Sequence, residues 1–299
     1  MTQAIEVHAL SHAYGSVEAV HDLDFSLPEG EILGLIGPNG AGKTTTLQIL
    51  AGVLAPRAGS ARALGQPCDR LPAATLAAMG FVSERGQLPE QMKVGALIEF
   101  CRTLRPDWDQ ERAGQLRRRF ELELESKVRS LSRGQRAKLA FLLAVAYRPR
   151  LLLLDEPFGG LDPLARSEIL DELLALAGET GCAGLIATHD LVEVERITDR
   201  VALLHAGRLA FCEPVDVVLA RHRRVRLTFS SAASCDERLL ERGIEGRRDG
   251  RVLEYVETNA RDDSSAHATP AAARVEIQPL SLEEIFVAWT RHLNQRARS

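Results

Sequence analysis

Two stretches near the N-terminus alternate apolar and polar residues, and both predict strands. Their apolar positions are Ile5, Val7 and Ala9, followed by Leu23, Phe25 and Leu27. A period of two is typical of a strand with one solvated face, which is the usual arrangement in antiparallel sheets. We therefore expect an antiparallel subdomain at the start of the chain.

Three later stretches are short apolar runs, and they predict strands in the interior of the protein. They cover residues 31–36, 151–154 and 185–188. Continuous apolar runs of this length are typical of a parallel sheet, whose strands are buried on both faces. Beyond them, residues 201–204 and 208–211 are joined through Ala206-Gly207 and predict a hairpin.

A mainly helical pattern runs from about residue 87 to residue 147, between the first two of these runs. Within it the apolar spacing predicts helices over residues 94–104 and 108–120. A further helix is predicted over residues 163–177, with Pro163 at its start, where a helix tolerates proline. Strands that alternate with helices in this order predict an α/β fold.

The composition changes near Arg221, where a basic run begins. His222-Arg223-Arg224 and Arg226 overlap a predicted strand over residues 225–229. A last helix is predicted over residues 282–293, with an apolar stripe formed by Leu282, Ile285, Phe286 and Trp289. We expect residues 1–221 to form one domain and residues 222–299 to form a small α+β accessory domain.

Composition narrows the class of protein. The chain has 299 residues with a formal net charge of −4, which gives no general attraction to nucleic acid, so no nucleic-acid partner is expected. Its five cysteines are scattered without C-x-x-C spacing, which favours a reducing compartment. No signal peptide and no apolar run long enough to span a bilayer is visible. We expect a cytoplasmic protein that contacts a membrane only through a partner.

One motif dominates the candidate chemistry, and it follows the strand over residues 31–36. The stretch GPNGAGKT fits the phosphate-binding loop pattern G-x-x-x-x-G-K-[ST], and a predicted helix follows it. Glycines let backbone N–H groups converge on phosphate oxygens, and the positive end of the helix dipole faces the same site. The residues expected to bind nucleotide here are Gly37, Pro38, Asn39, Gly40, Ala41, Gly42, Lys43, Thr44 and Thr45.

Two carboxylates end the strand over residues 151–154, and they complete a phosphoryl-transfer site. Asp155 is expected to hold Mg²⁺ together with the Thr44 hydroxyl. Glu156 is expected to act as the general base, or to orient the attacking water. Two acidic residues at a strand end are also an ordinary exposed terminus, and the phosphate-binding loop favours the functional interpretation.

Three further signals are weaker when each is taken alone. Ser132 and Gln135 have the spacing of a helix capping box, and a helix N-terminus is also an anion site, so both interpretations can hold together. His189 follows a strand end, from which its ring could reach a phosphate. Tyr14 could stack on an adenine ring, or it could equally belong to the core.

Taken together, these motifs resemble those of the ATPase subunits of ABC transporters over about residues 4–220. The specific element is Leu131-Ser132-Arg133-Gly134-Gln135, which is similar to the LSGGQ signature of that family. The resemblance implies a P-loop NTPase core with a parallel sheet, an N-terminal antiparallel β subdomain and a helical signature subdomain. It also implies roles for Tyr14 at the adenine, Gly160-Leu161-Asp162 as the D-loop and His189 as the switch histidine.

The same resemblance implies partners and a cofactor. ATP and Mg²⁺ would lie between Gly37–Thr44 of one subunit and Ser132, Gly134 and Gln135 of a second ATP-binding subunit, in a homodimer or a related heterodimer. A separate transmembrane permease would hold the protein at the inner face of the cell membrane. Ser281-Leu282-Glu283-Glu284-Ile285-Phe286 resembles the tail of bacterial multidrug or bacitracin-type exporter subunits, so export is expected.

The chain departs from the family pattern at two positions in these motifs. Glu84 stands where the family has the Q-loop glutamine, which touches Mg²⁺ and the attacking water. A carboxylate can still bind the metal, but it adds negative charge beside the phosphates, and it is counted here with the catalytic and metal-binding residues. Arg133 stands where the signature commonly has glycine, and it adds a positive charge.

Two rival functions remain at this stage. A nucleic-acid ATPase of the same superfamily would need coiled-coil insertions or a second nucleotide domain, and the sequence has neither heptads nor a second phosphate-binding loop. A regulatory protein, in which ATP mainly controls dimerisation, is kept open by Glu84. ATP turnover by the purified chain separates this rival from a transport motor.

Overall fold

The computed structural model describes residues 2–84, 88–232, 235–260 and 272–296. The spatial contacts between residues divide the chain into two compact units, residues 1–212 and residues 213–299. The division falls nine residues before the domain boundary predicted from composition at residue 221. The short helix over residues 215–221 therefore belongs to the second unit and not to the first.

The first unit is an α/β domain that contains the predicted strands and helices, together with unpredicted short elements between residues 58 and 82 and a helix over residues 191–197. In chain order they are β1 (Gln3–Tyr14), β2 (Val17–Pro28), β3 (Ile32–Ile36), α1 (Lys43–Leu50), β4 (Ala58–Ala63), β5 (Gln66–Pro67), α2 (Ala73–Ala77), β6 (Met79–Val82), α3 (Val94–Leu104), α4 (Gln110–Arg119), α5 (Arg133–Val145), β7 (Leu151–Asp155), α6 (Pro163–Thr180), β8 (Ala183–Thr188), α7 (Leu191–Ile197), β9 (Arg200–His205) and β10 (Arg208–Pro214).

The N-terminal strands form an antiparallel sheet of order β2-β1-β4-β5, which confirms the predicted subdomain. The predicted alternation is wrong at one position. The register shifts between Val7 and Leu10, where Ala9 adopts φ 45° and is exposed, so Leu10 takes the buried position. A bulge of this kind inserts an extra residue and reverses the faces of the residues that follow.

The second sheet has the order β10-β9-β3-β8-β7-β6, and its pairs β3–β8, β3–β9, β6–β7 and β7–β8 are parallel. Leu152 and Leu154 of β7 pack into one apolar cluster, whereas Leu151 and Leu153 pack into another on the opposite face. Because both faces of these strands are buried, their sequences are continuous apolar runs. The carboxyl ends of β3, β7 and β8 meet at one edge of the sheet.

The helices confirm the predicted pattern, with small changes at their ends. The helix α3 has the predicted bounds, but α4 begins at Gln110 because the carboxylate of Asp109 accepts a hydrogen bond from the Arg112 N–H and caps it. The helix α6 runs three residues beyond the predicted end at Ala177 and stops at Thr180. Gly181 follows with φ 65°, a left-handed conformation that glycine adopts readily at helix ends.

The second unit is an antiparallel sheet with helices, the α+β composition expected for this part of the chain. Its elements are α8 (Val215–Arg221), β11 (Arg223–Phe229), β12 (Ile244–Asp249), β13 (Val252–Glu257), β14 (Ala272–Pro279) and α9 (Leu282–Arg296), and the sheet has the order β12-β13-β11-β14.

The buried stripe of α9 differs from the predicted one. Leu282, Ile285 and Ala288 are buried, while Phe286 and Trp289 are only partly buried. The indole Nε1–H of Trp289 donates a hydrogen bond of 3.0 Å to Nε2 of the fully buried His222. The stripe therefore follows the i, i+3, i+6 positions, and Trp289 lies at its border, where its polar nitrogen finds a partner.

Ion pairs within the second unit use much of the basic run near residue 222. Arg221 lies 3.0 Å from Glu213, and Arg224 lies 3.1 Å from Glu254. One guanidinium nitrogen of Arg223 donates to the backbone oxygen of Leu219 over 2.6 Å. The run is therefore a structural part of this small unit.

Candidate nucleotide-binding site

The phosphate-binding loop lies between β3 and α1, where the sequence predicts it. Gly42 adopts φ 106°, and a Cβ atom there would lie 2.4 Å from the backbone oxygen of Ala19. A Cβ atom at Gly37 would lie 2.2 Å from the backbone oxygen of Leu204. Because no side chain fits at either position, the loop needs glycine at both.

Lys43 is the first residue of α1, and its side chain is only 7% exposed. Its Nζ donates to the backbone oxygens of Gly37 over 2.7 Å and Pro38 over 3.3 Å, and it lies 3.6 Å from Oε1 of Glu156. The ammonium group is thus held between the loop and the end of β7. A buried ammonium at the phosphate-binding loop is well placed to meet a further anion.

Asp155 is buried at the end of β7, and its Oδ1 accepts a hydrogen bond of 3.1 Å from the Thr44 hydroxyl. Burial raises the pKa of the Asp155 carboxyl above its usual value, and the charges of Glu84 and Glu156 raise it further. The Thr44 hydrogen bond and the charge of Lys43 oppose this rise. The three carboxylates therefore concentrate negative charge beside the loop.

Glu156 follows β7 with φ 47°, a left-handed conformation that is costly for a residue with a side chain. Its N–H donates to the Ala187 backbone oxygen over 2.8 Å, which ties the turn to β8. Its side chain is 11% exposed. Oε2 accepts a hydrogen bond of 3.2 Å from the Thr188 hydroxyl and lies 2.9 Å from Nδ1 of His189.

The imidazole of His189 is 63% exposed and reaches the Glu156 carboxylate from the end of β8. An ionised carboxylate only accepts hydrogen bonds, so this contact needs a hydrogen on Nδ1. The structure thus brings together Lys43, Thr44, Asp155, Glu156 and His189, which lie far apart in the sequence.

The signature-like segment forms the capping box that its spacing predicts. The Ser132 Oγ accepts from the Gln135 N–H over 3.2 Å, and Oε1 of Gln135 accepts from the Ser132 N–H over 3.1 Å. An added Cβ at Gly134 would lie 3.6 Å from Oδ2 of Asp162, whose Oδ1 caps α6 through the Ala165 N–H. The signature and the segment of Asp162 therefore pack together within this chain.

Arg133 extends from the signature toward the end of β7. A Cβ atom at Gly160, which has φ 66°, would lie 2.3 Å from Nη1 of Arg133. The guanidinium group therefore lies against Gly160, where the positive φ favours glycine and the absent Cβ leaves space for the arginine. The arginine that departs from the family signature thus has a complementary glycine in the D-loop segment.

A cavity of about 690 Å³ contains most of the predicted site. Its lining residues include Asn39, Gly40, Ala41, Gly42, Lys43, Thr44, Thr45, Glu84, Arg133, Arg136, Asp155, Glu156 and His189. Tyr14 is not among the lining residues, and with 49% of its surface exposed it does not belong to the core. Its hydroxyl lies 3.5 Å from Oε1 of Gln48, and its ring packs edge-on against His12.

Sequence reasoning did not single out Thr188 or Arg136. Arg136 lines the cavity one turn after Ser132, and its Nη2 donates to the Arg129 backbone oxygen over 2.8 Å. Thr188 directly precedes His189, so its position at a strand end beside a candidate site residue was the available signal. Its contact with Glu156 depends on the pairing of β7 with β8, which the sequence alone does not display.

The chain is similar in sequence and in fold to ATP-binding proteins of transporters. The family model described as ABC transporter matches residues 20–159. The Fe(3+) ions import ATP-binding protein FbpC of Pseudomonas fluorescens is 35% identical over 69% of this chain, but the match spans only 60% of that relative's length. The daunorubicin/doxorubicin resistance ATP-binding protein DrrA of Streptomyces peucetius is 30% identical over 97% of this chain and 93% of its own.

A solved structure described as the ATP-binding subunit of an ABC transporter has the same fold. It superposes with a TM-score of 0.67 at 29% identity, over 73% of this chain and 92% of its own. Within the residues that the structure describes, no helix is both long and apolar enough to cross a membrane. These likenesses show that the chain belongs to the ATP-binding subunits of ABC transporters, which are ATPases.

Proposed function

We propose that the chain is the ATP-hydrolysing motor subunit of an ABC transporter, and that it drives a separate membrane permease. The observation that carries the proposal is the arrangement at the edge of the parallel sheet. There the Thr44 hydroxyl contacts Asp155, and the Lys43 ammonium lies 3.6 Å from Glu156. One cavity is therefore lined by a lysine suited to bind phosphate, by Thr44 and Asp155 as a candidate metal-binding pair, and by Glu156 as a candidate base.

Nucleotide binding would use the loop and the first turn of α1. Backbone N–H groups of the glycine-rich loop and the helix dipole favour the negative charge of the phosphates. Lys43 would exchange part of its contact with the loop carbonyls for phosphate oxygens. Tyr14 is exposed enough to offer a ring face to adenine.

Thr44, Asp155 and Glu84 would hold Mg²⁺, and the site fits such a cation. The fit rests on the Asp155 carboxylate, whose pKa is raised by burial and by repulsion from the charges of Glu84 and Glu156. A cation bound near Asp155 would relieve that repulsion. When bound, Mg²⁺ would neutralise charge on the phosphates. Among the described residues no group of three or more His, Cys, Asp or Glu side chains could hold a metal by itself.

Glu156 would accept the proton of the attacking water. The Thr188 hydroxyl and the His189 ring both contact Oε2, so Oε1, which faces Lys43, is the oxygen that remains for the water. His189 is exposed enough to contact a phosphate as well as the carboxylate. Catalysis in this scheme consists of positioning and electrostatic stabilisation.

The second subunit would complete the site through its signature. Ser132 is exposed at the N-terminus of α5, a helix of 13 residues, where free N–H groups favour an anion. Ser132, Gly134 and Gln135 would contact the phosphates bound to the partner subunit, and Asp162 would lie near the same boundary. The partner would be a second copy of this chain or a related ATP-binding subunit.

Export is the direction that we propose for the transport. The relative whose match covers both chains almost from end to end is named for drug resistance, while the match to the iron-import relative covers 69% of this chain. The protein would act on the cytoplasmic face of the membrane, which it would contact through the permease.

A weakly hydrolysing regulatory subunit is the second candidate, and Glu84 favours it. At position 84 the family has a neutral glutamine, whereas the charge of Glu84 adds to the repulsion at Asp155. ATP turnover by the purified chain with Mg²⁺ tests the two candidates. We expect sustained turnover that is lost with EDTA, whereas ATP binding without turnover would support the regulatory role.

A further inference from the structure

Thr188 occupies a specific place between the candidate base and the neighbouring loop. It is the last residue of β8, pairs with Ile36 of β3, and is buried. Its Oγ1 accepts a hydrogen bond of 3.0 Å from the Asp190 N–H and lies 3.2 Å from Oε2 of Glu156. Because the amide supplies the hydrogen in the first contact, the hydrogen of the hydroxyl is free to be donated to Glu156.

An ion pair fixes the position of Asp190 from the opposite side. Nη1 of Arg166 lies 2.6 Å from Oδ2 of Asp190 and 3.7 Å from Oε1 of Glu193. Arg166 lies in the first turn of α6, where its N–H donates to the Asp162 backbone oxygen over 3.1 Å. Its Nε is buried and has no hydrogen-bond partner among the described residues, so both of these ion pairs are made through Nη1.

These contacts form a continuous path from α6 to the candidate base. The path runs from the Arg166 guanidinium to the Asp190 carboxylate, then from the Asp190 N–H through the Thr188 hydroxyl to Oε2 of Glu156. His189 contacts the same Oε2 from the exposed side. Two neighbours therefore hold Oε2, and Oε1 remains directed toward Lys43.

We infer that Thr188 is a positioning residue for Glu156 and that the ion pair between Arg166 and Asp190 holds Thr188 in place. The inference rests on the proposed function of Glu156 as the base that receives a proton from water. Loss of the Thr188 hydroxyl leaves Oε2 with the exposed His189 ring as its remaining contact, so the carboxylate rotates more easily about its terminal torsion and Oε1 faces the water less often. The path contains no residue of the nucleotide-binding loop, so we expect ATP binding to be retained.

The test compares steady-state ATP hydrolysis by wild type, Thr188→Val, Thr188→Ser and Thr198→Val. Valine keeps the shape of threonine but removes the hydroxyl, whereas serine keeps the hydroxyl. Thr198→Val is the matched control, because Thr198 is also a buried threonine and donates to the Val194 backbone oxygen over 2.7 Å, away from Glu156. Melting temperature and ATP binding are measured for every variant.

We expect Thr188→Val to lower kcat by about tenfold to a hundredfold, the usual effect of losing a hydrogen bond to a charged group. KM for ATP should change by less than about threefold, and Thr188→Ser and Thr198→Val should retain kcat within about threefold. Equal kcat for Thr188→Val and Thr198→Val would overturn the inference. So would a loss in Thr188→Ser as large as that in Thr188→Val.

A second pair of variants decides the matter if Thr188→Val does not fold. Arg166→Met removes the ion pair with Asp190, and Arg196→Met is its control, because Arg196 also pairs with Glu193, over 3.4 Å, but is exposed. We expect a lower kcat with unchanged KM only for Arg166→Met, and equal kcat for the two variants would refute the path. A wild-type chain that binds ATP but never turns it over would instead refute the proposed function.

Discussion

The Thr44 hydroxyl donates a hydrogen bond of 3.1 Å to Oδ1 of Asp155, and this contact joins the second residue of α1 to the last residue of β7. The two residues are 111 positions apart in the sequence. Their contact places the phosphate-binding loop and the acidic strand end at one edge of the sheet. That edge is where open α/β sheets bind their ligands.

The pairing of Thr44 with Asp155 predicts a defect that is specific to the metal. We expect Thr44→Val to lower the apparent affinity for Mg²⁺ by about tenfold or more, since losses at the supporting residues of metal sites reach about 10–100-fold. Titration of ATP hydrolysis with MgCl₂ measures this effect. Thr44→Ser, which keeps the hydroxyl, should have the Mg²⁺ affinity of wild type. An unchanged Mg²⁺ dependence in Thr44→Val would contradict the assignment of Thr44 to the metal site.

The contact of His222 with Trp289 predicts that the stability of the second unit depends on pH. The Trp289 Nε1–H donates to His222 Nε2, and Nδ1 of His222 lies 2.7 Å from the Val218 backbone oxygen, so the ring is neutral with hydrogen on Nδ1. The pKa of His222 is lowered to about 4, chiefly by burial, while the Val218 contact opposes the change and the charges of Arg221 and Arg223 add to it.

The sign of this pH effect follows from proton linkage. Between pH 6.5 and about 4 the unfolded chain binds a proton at His222 that the folded unit does not, so the free energy of unfolding falls as pH falls. The largest slope is about 1.4 kcal/mol per pH unit. Urea unfolding of a Trp108→Phe chain, followed by Trp289 fluorescence between pH 7 and 5, measures it. Adding His222→Gln should flatten this dependence, and an equal slope in both chains would contradict the assignment.

The two compact units predict that nucleotide binding survives without the second unit. A chain that ends after Cys212 keeps Gly37–Thr44, Asp155, Glu156 and His189, so we expect it to bind ATP as the full chain does. We also expect a changed rate of hydrolysis or weaker dimerisation if the second unit regulates the first. Equilibrium ATP binding, ATP turnover and light scattering on both chains test these statements. Identical behaviour in all three would exclude a regulatory role for the second unit.

The exposed Ser132 predicts that ATP is shared between two subunits. A Glu156→Gln chain should form dimers with Mg-ATP, and adding Ser132→Arg should prevent them, since a long side chain would fill the phosphate side of α5. Static light scattering with and without nucleotide decides the question. Ser60→Arg, at an exposed position of β4, is the control and should leave dimerisation intact. Dimers that form equally with and without nucleotide, and that persist with Ser132→Arg, would contradict a shared site.

Local sequence patterns predicted the elements that depend on neighbours along the chain. The bounds of α3 followed from apolar spacing, and the capping box at Ser132 followed from a glutamine three residues later. The phosphate-binding loop was visible because its motif lies within consecutive residues, although the backbone oxygens that exclude side chains at Gly37 and Gly42 belong to Leu204 and Ala19. The bulge at Ala9 was missed, because the register of β1 depends on strands that are distant in sequence.

The supporting contacts of the site could not be predicted in the same way. Thr188 reaches Glu156 across a separation of 32 residues, and Arg166 reaches Asp190 only because the first turn of α6 lies beside the residue that precedes α7. Such contacts depend on the order β7-β8 in the sheet, which a single sequence leaves open. The unexpected partner of Arg133 is a similar case, since Gly160 lies in another segment.

The most direct test of the whole account is ATP hydrolysis by Glu156→Gln beside wild type. The side chain of Glu156 contacts Lys43, Thr188 and His189, so glutamine should fit the same space without accepting a proton. We predict unchanged ATP binding and a fall in kcat by about 10²–10⁴, the usual effect of losing a general base. Glu125→Gln, an exposed position paired with Lys93, should behave as wild type. Wild-type turnover by Glu156→Gln would contradict the assignment of this carboxylate as the base.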